Sequence, residues 1–277
     1  MPAFTDPIGH SITLDSPPRR IISLVPSQTE LLYHLGLEHQ VVGITKFCVH
    51  PEHWHKTKTR IGGTKNIHPD IIDSLHPDLI IANKEENLRD QVEALYPHYP
   101  VWTSDVHDLP SAIDTIEKIG ELTGAAEKAK TLTNAITKNF QALDQDPDTL
   151  KAPDTSTRSA PKTAYLIWRN PYMSIGGDTF IHDMLFRAGF NNVLANQTRY
   201  PTITLETLRE QNTRLVLLSS EPYPFKETHI AEIQEALPEA KIILVDGELF
   251  SWYGPRLLHA PAYFQTIRSS LSQNIDL

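Results

Sequence analysis

The sequence predicts an α/β protein of two lobes, each with a mainly parallel sheet, joined by a single long backbone helix. Short apolar runs of strand length alternate with helical patterns in both halves of the chain, which is the order of a parallel sheet. Residues 125–143 place apolar side chains at three- and four-residue steps, as one amphipathic helix requires. The 277 residues can also supply two hydrophobic cores. In a second interpretation, 125–143 is one more surface helix of a single domain.

The first half of the chain opens with an edge hairpin in residues 1–16 and a strand at 20–24. Ser27 stands three residues before Glu30, the spacing of a capping box, so we expect the next helix to begin there and to end at Gly36. The remaining elements alternate along the chain. They are strands at 40–44, 78–82 and 101–104 and helices at 71–75 and 88–96.

The second half repeats this order after the predicted connecting helix. Strands are expected at 163–168, 215–219 and 241–245, with helices at 180–189, 230–237 and 261–271. The resulting domain boundaries are 1–122 for the N-terminal α/β lobe, 123–145 for the connecting backbone helix, 146–161 for a loop rich in Asp, Pro, Thr and Ser, and 162–277 for the C-terminal α/β lobe.

Composition excludes several classes of partner. A net charge of -9 without a run of Lys and Arg disfavours nucleic acid, and no apolar run is long enough for a transmembrane segment. Residues 1–20 lack the basic and apolar regions of a signal peptide. We therefore expect a cytoplasmic protein as written, or a periplasmic one if the true start lies upstream. The single Cys48 excludes an intramolecular disulfide and a multi-thiolate metal site.

The loop FCVHPEHWH, residues 47–55, follows a predicted strand and has three interpretations. His50, His53 and His55 could join a zinc or manganese site, although Pro51 interrupts any helix that would aim them together. Alternatively, the loop is polar and packs Phe47 and Trp54 against the lobe. In the third interpretation it forms one wall of a ligand cleft, since parallel sheets bind ligands at their carboxyl edge. On that interpretation Phe47 and His50 are candidate ligand-binding residues.

Two further loops should lie at the same edge of the first sheet. IGGTKN, residues 61–66, contains paired glycines that permit a close backbone approach, and NKEEN, residues 83–87, is a polar cluster directly after a strand. Neither has the glycine spacing of a phosphate-binding loop. Thr64, Asn83 and Lys84 are the candidate ligand-binding residues in these loops.

Trp168 and Arg169 are the strongest candidates in the second half. They directly follow a predicted buried strand, where an indole offers a stacking face and a guanidinium offers an anion clamp. Simple packing at the edge of the sheet is the alternative. Other aromatic loops lie next to strands and supply Tyr200, Trp252 and Tyr253. Aromatic side chains in such positions suit a large, partly apolar ligand.

No nucleophile or metalloprotease motif is present in the sequence. Adjacent carboxylates such as Glu85 and Glu86 would point apart in a strand, which disfavours a catalytic dyad. We therefore expect no enzymatic activity and no catalytic or metal-ligating residues. A cytoplasmic metal-binding protein or enzyme that uses His50, His53 and His55 is the alternative function.

Several segments together resemble one known family. RIISLVPSQTELLYHLGL, VVGIT, IGGTKN, HPDLIIA, RYPTITLETL and WYGPR are similar to the vitamin B12-binding and siderophore-binding substrate-binding proteins of ABC importers, the helical-backbone metal receptor group. The similarity covers nearly the whole chain. It implies two α/β lobes, a ligand cleft between them, and a monomer that binds cobalamin or another metal chelate without a covalent cofactor.

The resemblance also implies positions for the ligand and for a membrane partner. The cleft aromatics of the B12-binding relatives correspond to the neighbourhoods of Phe47, Thr64 and Asn83 and to Tyr200. One carboxylate on each lobe would dock into arginines of an ABC transporter permease, and these acids correspond to Asp70 and Glu206. Only some of the cleft positions are aromatic here, so we expect a more polar cleft than a pure corrinoid slot.

Overall fold

The computed structural model describes residues 3–145 and 160–272, which divide into two compact units. The N-terminal unit contains Met1–Val106, Pro110–Ala135 and Tyr253–Pro255, and the C-terminal unit contains His107–Leu109, Ile136–Trp252 and Arg256–Leu277. Each unit has its own parallel sheet flanked by helices. The predicted α/β class is therefore confirmed.

The N-terminal unit is built on five parallel strands in the order β5-β4-β3-β8-β9, with two small antiparallel pairs, β1-β2 and β6-β7. The strands are β1 Ala3–Thr5, β2 Ser11–Thr13, β3 Ile21–Ser23, β4 Val41–Ile44, β5 Thr59–Arg60, β6 Gly62–Gly63, β7 Asn66–Ile67, β8 Leu79–Asn83 and β9 Val101–Ser104. The helices up to the second unit are α1 Pro26–His34, α2 Glu52–Thr57, α3 Pro69–Leu75, α4 Arg89–Glu93, α5 Leu109–Thr123 and α6 Ala126–Asp144.

Strands β3, β8 and β9 are buried along their whole length. Their continuous apolar runs are typical of parallel strands covered on both faces. Ile22, Ile80 and Val101 lie in one hydrophobic cluster with Ile72 of α3 and Val92 of α4. This core fixes the strand ends from which the candidate loops leave.

The long helix α6 carries the apolar stripe that the sequence predicts. Ala129, Leu132, Ile136, Phe140 and Leu143 are all at most 3% exposed. Residues up to Ala135 belong to the N-terminal unit and those from Ile136 to the C-terminal unit. The predicted helix at 125–143 is thus confirmed.

Helix α5 precedes α6 and was not predicted. A side chain at Gly120 would come within 2.4 Å of the Ala129 Cβ atom, so glycine allows the two helices to approach closely. Gly124, with φ +73°, separates them in a conformation that glycine adopts without strain.

The C-terminal unit has a four-stranded parallel sheet in the order β12-β10-β14-β15 and an antiparallel pair β11-β13. Its strands are β10 Lys162–Leu166, β11 Tyr172–Met173, β12 Asn191–Asn192, β13 Thr202–Ile203, β14 Leu215–Ser219 and β15 Lys241–Val245. Its helices are α7 Phe180–Arg187, α8 Leu205–Glu210, α9 Glu227–Ala236, α10 Glu248–Ser251 and α11 Ala260–Ser272, with a 3₁₀ turn at Pro255–Leu258.

One local prediction is wrong. Helix α1 begins at Pro26, and its N-cap, Val25, makes no side-chain cap hydrogen bond. Proline is favoured in the first helical position because it needs no amide partner there, so Ser27 lies within the first turn and forms no capping box. Of the predicted loop 146–161, residues 146–159 lie outside the described part of the chain. The domain boundaries at 122 and 162 stay a prediction.

Candidate functional site

Three strands of the first sheet and strand β14 of the second end in a buried polar residue. Ser23, Asn83 and Ser104 are the last residues of β3, β8 and β9, and Ser219 is the last residue of β14. All four are at most 1% exposed. Because the carboxyl ends of parallel strands lie at one edge of a sheet, the loops that follow them form a natural place for a ligand. We call residues 45–50, 62–67 and 84–88 the N-terminal rim and residues 167–173, 220–225 and 246–252 the C-terminal rim.

A network of buried side chains supports the N-terminal rim. The Asn83 amide donates to the Ser104 hydroxyl at 3.0 Å, and the Gln28 amide donates to the same oxygen. The Asn83 Oδ1 atom accepts hydrogen bonds from the backbone N–H groups of Glu85 and Glu86, at 2.9 and 3.1 Å. Asn83 therefore holds the start of the NKEEN loop instead of facing a ligand with a free amide.

Asn87 connects this loop to its neighbours. Its Oδ1 atom accepts from the Asn83 backbone N–H at 2.8 Å, and its Nδ2 atom donates to the carbonyls of Thr64, at 3.0 Å, and Leu24, at 3.3 Å. The side chain is only 6% exposed. Asn87 thereby joins the loops after β3 and β8 and the β6-β7 turn into one surface.

Phe47 is the most exposed aromatic residue of the N-terminal rim, at 51%. A Cβ atom at Gly63 would lie 3.1 Å from the Phe47 ring, so the ring rests directly against the glycine backbone. The Lys46 Nζ atom lies 5.1 Å from the centroid of the same ring, which is a cation–π distance. The loop is fixed by the Lys46 backbone N–H, which donates to the Gly62 carbonyl at 2.8 Å.

Cys48 is a buried residue of the 45–50 loop. The Thr29 hydroxyl donates to its sulfur at 3.1 Å, and the Thr45 hydroxyl lies 3.2 Å from the same atom. Burial raises the pKa of the thiol to about 11, so the thiol stays protonated at neutral pH. Cys48 therefore packs as a small neutral group and presents no thiolate.

The three histidines of the FCVHPEHWH loop have separate environments. His53 on α2 lies 3.3 Å from Glu38 and meets the Tyr33 ring edge-on, while His50 and His55 are half-buried. Within residues 3–145 and 160–272, no three His, Cys, Asp or Glu side chains are arranged to hold a metal ion. Trp54 is fully buried, as the packing interpretation predicts, but Phe47 is exposed.

A cavity of about 540 Å³ lies within the N-terminal unit, beside the predicted Asn83 and Lys84. The turn between β1 and β2 forms its other wall, where His10 stacks on Tyr96 with ring centroids 3.8 Å apart. Lys84 pairs with Asp105, and both residues line this cavity. The predicted Thr64 is half-buried and faces Asn87 through its backbone carbonyl.

In the C-terminal rim, Trp168 is 40% exposed and meets the Tyr223 ring edge-on, with centroids 5.7 Å apart. Its neighbour Arg169 is already paired. The guanidinium donates to the two carboxylate oxygens of Glu232 at 2.7 and 3.3 Å, and the Tyr172 hydroxyl donates to the same carboxylate at 2.7 Å. The hydrogen bond from Arg169 lowers the pKa of Glu232, so the pair stays ionised near neutral pH.

A half-buried carboxyl group, that of Glu221, lies within the C-terminal rim in the loop that follows β14. Glu221 accepts hydrogen bonds from the Trp252 indole N–H, at 2.7 Å, and from the Ser251 hydroxyl. Burial raises the pKa of Glu221, and the nearby carboxylate of Glu248 adds to this. The Arg256 guanidinium lies over the Trp252 ring, 5.0 Å from its centroid, and pairs with Glu248 at 2.8 Å.

The remaining predicted residues have the following environments. Trp252 and Tyr253 are buried, at 7% and 6% exposure, so Trp252 has both its face and its N–H engaged within its own unit. Tyr200 is half-buried just before β13. Asp70 is exposed in the first turn of α3, and Glu206 is exposed in the first turn of α8, where it pairs with Arg209 at 2.8 Å.

Glu221 and Glu232 were not among the predicted site residues, and Asn87 was expected only as part of the NKEEN polar cluster. One usable signal was a polar residue that ends an apolar run, as at Asn83 and Ser219. The partner of Arg169 lies 63 residues further along the chain, and no local pattern indicates it.

The chain belongs to the periplasmic binding protein family, whose model matches residues 21–246. This is a family of binding proteins, so the expectation of no enzymatic activity and the resemblance to substrate-binding proteins are both confirmed.

Individual relatives are distant but cover most of the chain. An uncharacterized ABC transporter substrate-binding lipoprotein of Bacillus subtilis is 26% identical, over 91% of this chain and 81% of its own length. A vitamin B12-binding protein of Photorhabdus laumondii is 25% identical, over 93% and 90%. A periplasmic heme binding protein of Pseudomonas aeruginosa superimposes with a TM-score of 0.77 at 20% identity, over 94% of both chains, which shows a shared fold.

The expected cytoplasmic location has no support from these comparisons, because the relatives are named as lipoprotein or periplasmic proteins. Among the helices that the structure describes, none has the length and apolarity to cross a bilayer.

Proposed function

We propose that this chain is the substrate-binding protein of an ABC importer and that its ligand is a corrinoid or a related metal chelate. The observation that carries this proposal is the exposure of a large aromatic side chain on each rim, Phe47 at 51% and Trp168 at 40%. Exposed aromatic rings at the carboxyl edge of a parallel sheet provide flat apolar contact area. Vitamin B12 is the ligand named for one relative.

The proposal includes an ABC transporter permease as the partner and no covalently attached cofactor. It also includes a location on the outer side of the cytoplasmic membrane, since the B. subtilis relative is named as a lipoprotein. Fractionation of cells that express the protein from its own locus tests the location. Recovery in the cytoplasmic fraction alone would contradict it.

The ligand is tested by mass spectrometry of small molecules released from gently purified protein. We expect one metal chelate in stoichiometric amount. Titration of the purified protein with cyanocobalamin, hemin and a ferric siderophore should show binding through quenching of Trp168 fluorescence. A Trp168→Phe variant should keep binding and should lose the part of the quenching that comes from Trp168, the exposed one of the four tryptophans.

Absence of any released chelate, together with no binding of the three probes at micromolar concentration, would refute the proposed ligand class. Turnover of a probe without its retention would instead indicate an enzyme.

A further inference from the structure

The N-terminal rim carries two lysines whose ammonium groups have no carboxylate partner within the described residues. The Lys46 Nζ atom lies over the Phe47 ring at 5.1 Å, and the Lys65 Nζ atom donates to the backbone carbonyl of Glu85 at 2.8 Å. Both side chains are exposed. We call Lys46, Phe47, Gly63 and Lys65 the lysine platform.

The platform is held in place by backbone contacts. The Lys46 backbone N–H donates to the Gly62 carbonyl. The Lys46 side-chain stem and the Phe47 ring both pack on Gly63, where an added Cβ atom would lie 3.4 Å from the stem and 3.1 Å from the ring. The Lys65 carbonyl accepts from the Gln91 amide at 3.1 Å. The two cations and the apolar ring therefore belong to one supported surface.

The other charged residues of the N-terminal rim already have interaction partners within the protein. Lys84 is paired with Asp105, and Glu85 and Glu86 are half-buried with interactions of their own. Lys46 and Lys65 thus remain as positive groups in a chain with a net charge of -9. A cation beside an exposed ring complements a ligand with an apolar face and negative groups at its edge.

We propose that the ligand is an anionic chelate whose flat apolar face lies on Phe47 and whose peripheral carboxylates are bound by Lys46 and Lys65. This inference rests on the proposed function and narrows its ligand class. A corrinoid with amide side chains would offer the two ammonium groups carbonyl oxygens but no carboxylate, and a hydrogen bond to a charged acceptor is the stronger one.

The test compares hemin with hemin dimethyl ester, which has the same flat macrocycle without the two carboxylates. We expect hemin to bind the whole protein about tenfold more tightly than the ester. In Lys46→Met/Lys65→Met, which keeps the apolar stems, hemin should bind with nearly the affinity of the ester. Lys46→Arg/Lys65→Arg should restore the preference.

The control variant is Lys56→Met/Lys118→Met, which removes two charges from exposed ion pairs with Glu52 and Glu121. It should keep the full preference for hemin. Ferric citrate, which has carboxylates without an apolar face, should bind at least tenfold more weakly than hemin. Tighter binding of ferric citrate than of hemin would overturn the assignment of Phe47.

Equal affinities for hemin and its ester, or an unchanged preference after removal of the two lysines, would overturn the inference. Lys46 and Lys65 would then be surface charges that contribute to solubility and not to ligand binding. In that case, tight binding of cyanocobalamin would leave the proposed function intact. Failure of hemin, its ester, ferric citrate, a ferric siderophore and cyanocobalamin to bind, with no chelate released from the purified protein, would refute both.

Discussion

The two rims differ in how their charges are satisfied. In the C-terminal rim Arg169 is paired with Glu232, and Glu248 is paired with Arg256 outside the rim. In the N-terminal rim, within the part of the chain that the structure describes, Lys46 and Lys65 have no carboxylate partner. The charged residues of the C-terminal rim are therefore held in ion pairs with neighbouring residues. In the N-terminal rim, the two ammonium groups can bind a ligand. We expect discrimination among chelates to depend mainly on the N-terminal rim.

The polar groups that stabilise the two rims also differ. The N-terminal rim rests on neutral amides and hydroxyls, such as Asn83, Asn87 and Ser104. The C-terminal rim contains the half-buried Glu221, whose carboxyl group can ionise. Burial raises the free-energy cost of the ionised form, so we expect pH to act on the second rim far more than on the first.

The largest expected effect comes from Asn87→Ala. The change leaves the buried Asn83 N–H and the carbonyls of Leu24 and Thr64 without this partner, and we expect a loss of about 3 kcal/mol of unfolding free energy. Urea denaturation followed by circular dichroism measures it. Asn66→Ala removes the same group from an exposed position and should cost less than about 0.5 kcal/mol. Equal losses for both variants would contradict the network.

Ligand affinity gives the next largest effect. Trp168→Ala/Arg169→Ala removes the exposed indole and the ion pair that orders its neighbourhood, and we expect about a hundredfold weaker chelate binding, or about 2.7 kcal/mol. Isothermal titration calorimetry is the appropriate measurement, because its signal does not depend on the tryptophan that the variant removes. Phe186→Ala removes another exposed ring, on α7, and should leave affinity unchanged. Unchanged binding in the double variant would remove Trp168 from the site.

Glu221→Gln tests the difference in pH response. The folded-state pKa of Glu221 is raised, so the native protein binds more protons than the unfolded chain, and stability from this group falls as pH rises through the raised pKa. Gln keeps an oxygen for the Trp252 and Ser251 hydrogen bonds without the charge. We expect the variant to be more stable than the wild type by about 1 kcal/mol at pH 8.

This advantage of Glu221→Gln should shrink as the pH is lowered toward 4.5, the ordinary pKa of a glutamate, because Glu221 is then largely protonated in the folded protein and no longer carries a buried charge. Thermal unfolding across this range measures it. Glu227→Gln, which alters an exposed carboxylate, is the control. If the stability of Glu221→Gln relative to the wild type is lower at pH 8 than at pH 5, the pKa of Glu221 is not raised in the folded protein.

The fold was largely predictable from the sequence because burial leaves a periodic pattern. The α6 stripe and the apolar runs of β8 and β14 are of this kind. Helix α5 has the same pattern at Ala112, Ile116 and Ile119, but Gly120 lowers its apparent helix propensity. Only the contact between Gly120 and Ala129 explains the glycine.

The rims were less predictable because their partners are distant in the chain. Arg169 fits an anion clamp as a residue type, but Glu232 on α9 already occupies its guanidinium. Trp252 fits a stacking residue, but Glu221 and Arg256 engage it from within the protein. Residue type and position after a strand indicate that a side chain is near a rim. They do not indicate whether the side chain contacts a ligand or is paired with another residue of the protein.

The smallest expected effect concerns Asp70 and Glu206. Like the charges of the two rims, these two acids differ in whether an ion pair engages them. Glu206 pairs with Arg209 at 2.8 Å, whereas no ion pair of Asp70 occurs among the described residues. Each acid lies in the first turn of a helix, where the helix dipole favours it by some tenths of a kcal/mol. We expect Asp70→Arg/Glu206→Arg to keep ligand affinity but to weaken association with the permease about fivefold.

The two single variants sharpen this expectation. Asp70→Arg should have the larger effect, because Glu206 must first give up Arg209 to contact an arginine of the permease. Association is measured by pull-down with the transporter in nanodiscs at low and high salt, since contacts between exposed charges weaken as ionic strength rises. Glu127→Arg, which changes an acid in the first turn of α6, is the matched control. If all variants associate equally well while ligand binding is kept, Asp70 and Glu206 act only at their own helix ends.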